Sequence, residues 1–297
     1  MSKRLFRILI SYHYFKSIDL DDLFSKKFGE PYPDVFADSG AYSAMTQGVN
    51  ITTKEYADWV KRWSHWFSAY SNLDVIMDAE KTWENQQTLE AMGLKPLPAF
   101  HVTEDYKWLE MYIENYQYIA LGVAGMQQRR DPLMRWLIRC FEIAQNKSVF
   151  HGFALTSWEV MSSFPWYSVD SSSWGQGFRF GLVPLFDEKV GKFVKIQLGD
   201  ISSCRKHFRL IQDLGFDPLD FAYRERNDRA NICAISAVSY MKSKEYLRKI
   251  WGDIRVYLAD GSTSNLIDGN TGVKLYLVDK AGIADLISAK EKIQNVY

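Results

Sequence analysis

The sequence predicts an α/β fold, a TIM-like (β/α)8 barrel with a C-terminal α/β extension. Up to Asp170, short apolar runs alternate with longer amphipathic ones. Strand–helix–strand order with short links means parallel strands joined by crossovers. At 297 residues the chain is long for one compact domain and short for two, a length that a barrel fills as a single domain. Hydrophobic residues at 47% against 24% charged supply a sizeable core and exclude a disordered chain.

Taken in order, the strands expected in this part are Phe6–Ser11, Asp34–Ala37, Leu73–Met77, Leu97–Phe100, Tyr118–Leu121, Val149–Leu155 and Trp166–Val169. Helices are expected between them at Thr53–Ala69, Thr82–Met92, Asp105–Asn115, Asp131–Gln145 and Ser157–Ser162. The stretch "ITTKEYADWVKRW" opens with a threonine cap and a glutamate in the first turn, a good helix start. A closed barrel needs one strand more than these. It is expected in "DIRVYLAD", Asp253–Asp260, or near Tyr12–Phe15, and an open doubly wound sheet is the other solution the pattern allows.

After Asp170 the character changes. Phe178–Gln197 reads as two strands around a turn at Asp187–Gly191, "SSCRKHFRLIQDLG" as a helix closed at Gly215, and Arg224–Trp251 as a long amphipathic helix with a cationic start. The expected division is therefore 1–177, the main part of the barrel with its site, and 178–297, a hairpin and helices that supply barrel closure and an edge for nucleic acid.

Charge and cysteines narrow the partners. A formal net charge of zero excludes a grip on nucleic acid by bulk electrostatics, so such a partner needs a local patch. Cys140, Cys204 and Cys233 lie far apart, which fits a reducing compartment and gives no metal-finger spacing. The opening "MSKRLFRILISYHYF" has a brief apolar run and no small-residue cleavage site, and no stretch approaches the roughly 20 apolar residues of a membrane span. A soluble, cytoplasmic protein without a membrane partner is expected.

The chemistry is sought at the strand ends. Asp38 in "VFADSGAYS", Asp78 in "LDVIMDAEKT" and Asp170 in "WYSVDSSSW" each follow an apolar run. In parallel α/β folds those ends share one face, where the active site lies. Three acids brought together need a shared proton, a cationic ligand or a polarised substrate to offset their repulsion. The plainer reading is that each one caps the helix after its strand. His101 and Gly122 fall at other strand ends, and a glycine there lets a ligand approach the backbone. Tyr42, Trp83 and Trp174 lie close to the acids in sequence and are candidate stacking platforms. Carboxylates without metal-ligand histidines, a phosphate loop or a Ser–His pair suit reaction at a glycosidic carbon, whose transition state is oxocarbenium-like.

The blocks "DSGAYS", "NLDVIMDAEKTWEN", "YIALGVAG" and "HGFALTSWEVMSSFPWYSVDSSSW" resemble the tRNA-guanine transglycosylase superfamily, most closely its phage-type members similar to DNA 7-deazaguanine transglycosylases. The likeness covers roughly Val35 to Gly177 in scattered blocks, the one ending in "YSVDSSSW" being the most specific. The resemblance implies a modified (β/α)8 barrel that exchanges a guanine in a polynucleotide for a 7-deazaguanine, such as preQ0, through a covalent sugar–enzyme intermediate and without a cofactor. It implies Asp170 as nucleophile, Asp38 with Ser39 and Gly40 as the acid/base motif beside the base, and Asp78 as the reader of the guanine edge. His101 stands where the family has a base-contacting glutamine, and Gly122 falls in its base-contacting glycine loop. The family's zinc cluster of cysteines is missing, which favours DNA over tRNA as the polymer and leaves a homo-oligomer open. A phage-encoded member would work in the host cytoplasm.

For the phosphates, Arg179, Arg205, Lys206, Arg209, Arg224, Arg226 and Arg229 are the candidate contacts, each with a solvated helix face as the plainer reading. A tRNA enzyme, a nucleobase-binding barrel without chemistry and a hydrolytic glycosylase are the other functions these residues allow.

Overall fold

A computed structural model describes residues 6–123, 130–154, 157–252, 273–278 and 283–297. They fall into two compact units, one built from the ranges 1–155, 163–170 and 253–280, the other from 156–162, 171–252 and 281–297.

The first unit is an α/β fold. Its strands are β1 (Arg7–Ser11), β2 (Asp34–Asp38), β3 (Phe67–Tyr70), β4 (Ala99–His101), β5 (Tyr118–Gly122), β6 (Val149–Gly152) and β7 (Ser168–Ser171). Two later strands, β8 (Leu182–Asp187) and β9 (Lys192–Gln197), belong to the second unit, and β10 (Lys274–Val278) returns to the first. The sheet has eight strands in the order β3-β2-β1-β10-β7-β6-β5-β4. The registers defined along it between β1 and β10, through β1, β2 and β3, and from β4 to β7 are all parallel.

This arrangement is TIM-like, and its ladder is open between β3 and β4. There a single parallel bridge, Ser71 to Leu97, joins the chain just past one edge to the chain just before the other. Asn72 N–H donates to the Leu97 carbonyl and Leu97 N–H to that of Tyr70, both at 2.8 Å. Apart from β3, the strands are buried along nearly their whole length, as parallel strands covered on both faces are. Leu9, Phe36, Ala99, Ala120, Tyr276 and Val278 form one buried cluster across them.

Three expectations are corrected. The third strand is Phe67–Tyr70, not Leu73–Met77, and the helix before it stops at Trp63 rather than Ala69. Thr52 does cap that helix, in a full capping box with Glu55. The eighth strand is Lys274–Val278; Tyr12–Phe15 is a single helical turn, and Asp253–Asp260 lies outside the described residues. Of the residues after Gly177, β10 takes a place in the sheet between β1 and β7.

In the second unit, β8 and β9 pair antiparallel from Leu182↔Gln197 to Asp187↔Lys192, with Gly191 at φ +67° in the turn. The helix expected after Ser202 is two, Ile201–Lys206 and Phe208–Asp213, separated at His207. The long helix begins at Arg229, capped by Asp228, and packs against the helix Ala284–Val296.

Candidate active site

The first unit gathers polar groups at the carboxyl ends of its strands. The register that sets Ser11 beside Asp38 brings both to the end of their strands. Beyond Asp38 the chain turns through Gly40 at φ +74°, whose N–H donates to Asp38 Oδ2 at 3.0 Å. A Cβ there would lie 2.3 Å from Ser11 Oγ and 2.6 Å from His13 Cβ, so the turn demands glycine on both counts. Ser39 is buried: its N–H donates to Ser71 Oγ at 2.9 Å, and the Ser71 hydroxyl reaches Asp38 Oδ1 at 3.4 Å.

Asp78 is not part of this cluster. It is exposed and caps the helix Ala79–Ala91, accepting from Lys81 N–H at 3.0 Å. With β3 ending at Tyr70, the acid that arrives at the site is Asp74. Its Oδ1 accepts from Ser39 Oγ at 3.3 Å, and its Oδ2 lies 2.9 Å from His101 Nε2. His101 is buried beside Asp74, its main-chain N–H donating to Glu104 Oε2 at 3.0 Å. Burial works against a charge on His101, but the hydrogen bond and charge of Asp74, helped by Glu104, raise its pKa above the ordinary value. Gly122 pairs with His101 across β4 and β5, and a Cβ on it would sit 2.5 Å from His101 Nδ1.

Asp170, 6% exposed at the end of β7, accepts at Oδ1 from Ala154 N–H at 2.9 Å. The same oxygen lies 3.3 Å from Nε2 of His151, a fully buried residue of β6. Asp38 is close enough to both other acids to feel them. Burial first, then the charges of Asp74 and Asp170, push its carboxyl up to about 7, against smaller lowering by Gly40 N–H and Ser71. The repulsion anticipated from the sequence bears on Asp38, while a histidine stands beside each of the other two acids.

Sequence reading missed Asp74, His151 and the serine link through Ser71. The signal for Asp74 was a second acid four residues before Asp78 in the same stretch, in "YSNLDV". For His151 it was a histidine interrupting the apolar strand "SVFHGF".

The remaining candidates are placed as follows. Tyr42 is 54% exposed on the helix Ala41–Thr46, which starts right after Gly40. Trp174 is 1% exposed in the second unit, edge to face with Phe178; a covered ring offers no face to a base, which corrects its place as a platform. Also in that unit, Arg179, Arg205, Lys206 and Arg224 are exposed. Arg226 is instead held by Asp217 and Asp220, and Arg229 by Asp285, so carboxylates already occupy these two guanidinium groups.

Among the described residues no group of three or more His, Cys, Asp and Glu side chains is set to hold a metal ion, and no helix is long and apolar enough to cross a membrane. No family model and no curated protein matches the chain, which leaves the geometry of the cluster to speak for its chemistry.

Proposed function

We propose that this cluster is the active site of a base-exchange transglycosylase, which replaces guanine in DNA by a 7-deazaguanine through a covalent aspartyl–sugar intermediate. One observation carries the reading: a buried Asp170 with one oxygen engaged stands near Asp38, whose carboxyl is pushed up to about 7 by burial and by the neighbouring acids. A nucleophile and a proton donor made from the same residue type, distinguished by environment, are what exchange at an anomeric carbon needs.

In the first half, Asp170 Oδ2 attacks C1′ as the bond from C1′ to the guanine nitrogen breaks. The electron pair goes to the purine, and the Asp38 proton neutralises it. In the second half, the incoming 7-deazaguanine gives a proton back to Asp38 as its nitrogen attacks C1′ and releases Asp170. No proton or electron is left over. Asp74, held by His101 and Ser39, takes the role of reading the base edge that the resemblance gave to Asp78. The exposed Tyr42 offers a face on which the base could stack. Arg179, Arg205, Lys206 and Arg224 are the phosphate contacts proposed.

Trapping tests the reading. Purified protein with guanine-containing DNA and a 7-deazaguanine should give a slower band on a denaturing gel, absent from Asp170→Asn. An equal band from that variant removes Asp170 as the nucleophile. Release of free base with no incorporation makes the protein a hydrolase, and incorporation into tRNA alone changes the polymer.

A further inference from the structure

We infer that His151 is a positioning residue for Asp170, held in one tautomer by a hydroxyl relay through Ser168 and Tyr118. The role presupposes Asp170 as the nucleophile, as proposed above.

The relay crosses three neighbouring strands. Tyr118 at the start of β5 bonds through its hydroxyl to Ser168 Oγ at the start of β7, and Ser168 Oγ lies 2.6 Å from His151 Nδ1 on β6. The register that pairs His151 with Ser168 makes the contact a property of the sheet. The Phe36 ring stacks on the imidazole, centroids 4.6 Å apart, and Phe153 meets it edge-on, so the ring plane is fixed. His151 and Ser168 are both wholly buried.

The direction of the protons follows from what each end faces. His151 Nε2 lies 3.3 Å from Asp170 Oδ1, an ion-pair distance without hydrogen-bond alignment, and has no hydrogen-bond partner. Were Nε2 unprotonated, two lone pairs would face each other in a buried site. With the phenol donating to Ser168 and the serine hydroxyl donating to Nδ1, the ring proton sits on Nε2, on the side of the carboxylate. Ala154 N–H already donates to the same oxygen. Both N–H groups therefore lie on the Oδ1 side, and Oδ2 is left as the attacking atom.

This asymmetry matters through the whole cycle. When Oδ2 bonds to C1′, Oδ1 becomes the ester carbonyl, and the two N–H groups remain to bind it. When the ester breaks, negative charge returns to a carboxylate whose donors are already in place, the preorganised stabilisation that enzymes use. His151 keeps its proton at every step. The 3.3 Å separation is that of a resting site, in which catalytic hydrogen bonds are often long and tighten with substrate.

The test combines kinetics with a readout that needs no activity. His151→Phe should lower kcat for base exchange at least tenfold with the KM for the incoming base unchanged, and His151→Gln, which restores an N–H donor, should recover part of it. Ser168→Ala, a milder change should His151→Phe fail to fold, should lower kcat severalfold. In 15N NMR of the wild type, His151 should carry its proton on Nε2, with a shift that moves in Asp170→Asn and a tautomer mixture in Ser168→Ala. Wild-type exchange by a folded His151→Phe, or a proton found on Nδ1, overturns the assignment. If the wild type exchanges no base, the proposed function falls, and the NMR result still decides the relay.

Discussion

At Asp38, burial and the charges of Asp74 and Asp170 all favour the protonated carboxyl, against an ordinary value of 3.8. The folded chain therefore binds this proton more tightly than the unfolded chain, and folding stability falls as pH rises from about 4 through about 7. The gap is worth at most about 4 kcal/mol, and less because the side chain is only half-buried. Asp38→Asn removes the titration. It should be more stable than wild type at pH 8 by a few kcal/mol and nearly equal at pH 4, read from urea unfolding at both; a gap independent of pH would mean that Asp38 titrates normally. The same substitution should abolish base exchange, and wild-type exchange should decline above about pH 7. Asp74 and Asp78 are told apart in a similar way. Asp78→Ala loses a helix cap, which costs about 1 kcal/mol and leaves exchange intact. Asp74→Ala strands a buried histidine, which costs about 3 kcal/mol, and exchange should be lost. Activity lost in Asp78→Ala and kept in Asp74→Ala would restore the assignment read from sequence.

The confusion between those two acids began one level up, with an element boundary. The tryptophans at 59, 63 and 66 keep a helical spacing past the true helix end, and no glycine or proline marks the stop before Phe67. The aromatic stretch Phe67–Tyr70 is nonetheless the strand, because it pairs with Val35–Ala37 of β2. Tertiary pairing overrode the local period, and the apolar run "LDVIM" that looked like a strand is the loop carrying Asp74. Where punctuation was explicit, local reading held: the capping box at Thr52, β2 ending in Asp38, and the turn of the β8–β9 hairpin are all where the residues put them. The Gly40 turn is the element on which the site hangs. Gly40→Ala meets both a left-handed φ and a Cβ contact of 2.3 Å, and should cost more than about 2 kcal/mol in unfolding experiments together with most activity. Gly48→Ala also has a left-handed φ but open space around it, and should cost about 1 kcal/mol with activity kept. Equal losses at the two positions would deny Gly40 its packing role.

For the molecule as a whole, the sheet of the first unit is completed late. β7 ends at Ser171, and the strand beside it, β10, does not begin until Lys274. That separation hid the strand from sequence reading, because strand–helix alternation had stopped a hundred residues earlier; the clue available was "VKLYLVD", another apolar run ending in an acid. β10 bonds on both sides, through Lys274 N–H to the Tyr167 carbonyl at 2.9 Å and through Ile8↔Leu277 and Leu9↔Val278 to β1. Leu275, Tyr276 and Leu277 are each at most 5% exposed, and burial of such side chains is worth about 1.5–3 kcal/mol apiece. A strand so enclosed can open only with its neighbours, despite reaching them from a distant part of the chain. Native-state hydrogen exchange should therefore give the amides of Leu275–Leu277 opening free energies within about 1 kcal/mol of those of Ile8–Ile10. The exposed helix Ile201–Lys206 in the second unit should open at lower cost. Late closure also makes the contact non-local, so that protection of these strands should appear in the slowest phase of refolding. Amides of β10 that exchange several kcal/mol more easily than those of β1 would show a strand that docks and undocks on an already stable sheet, and the eight strands would then not be one cooperative unit.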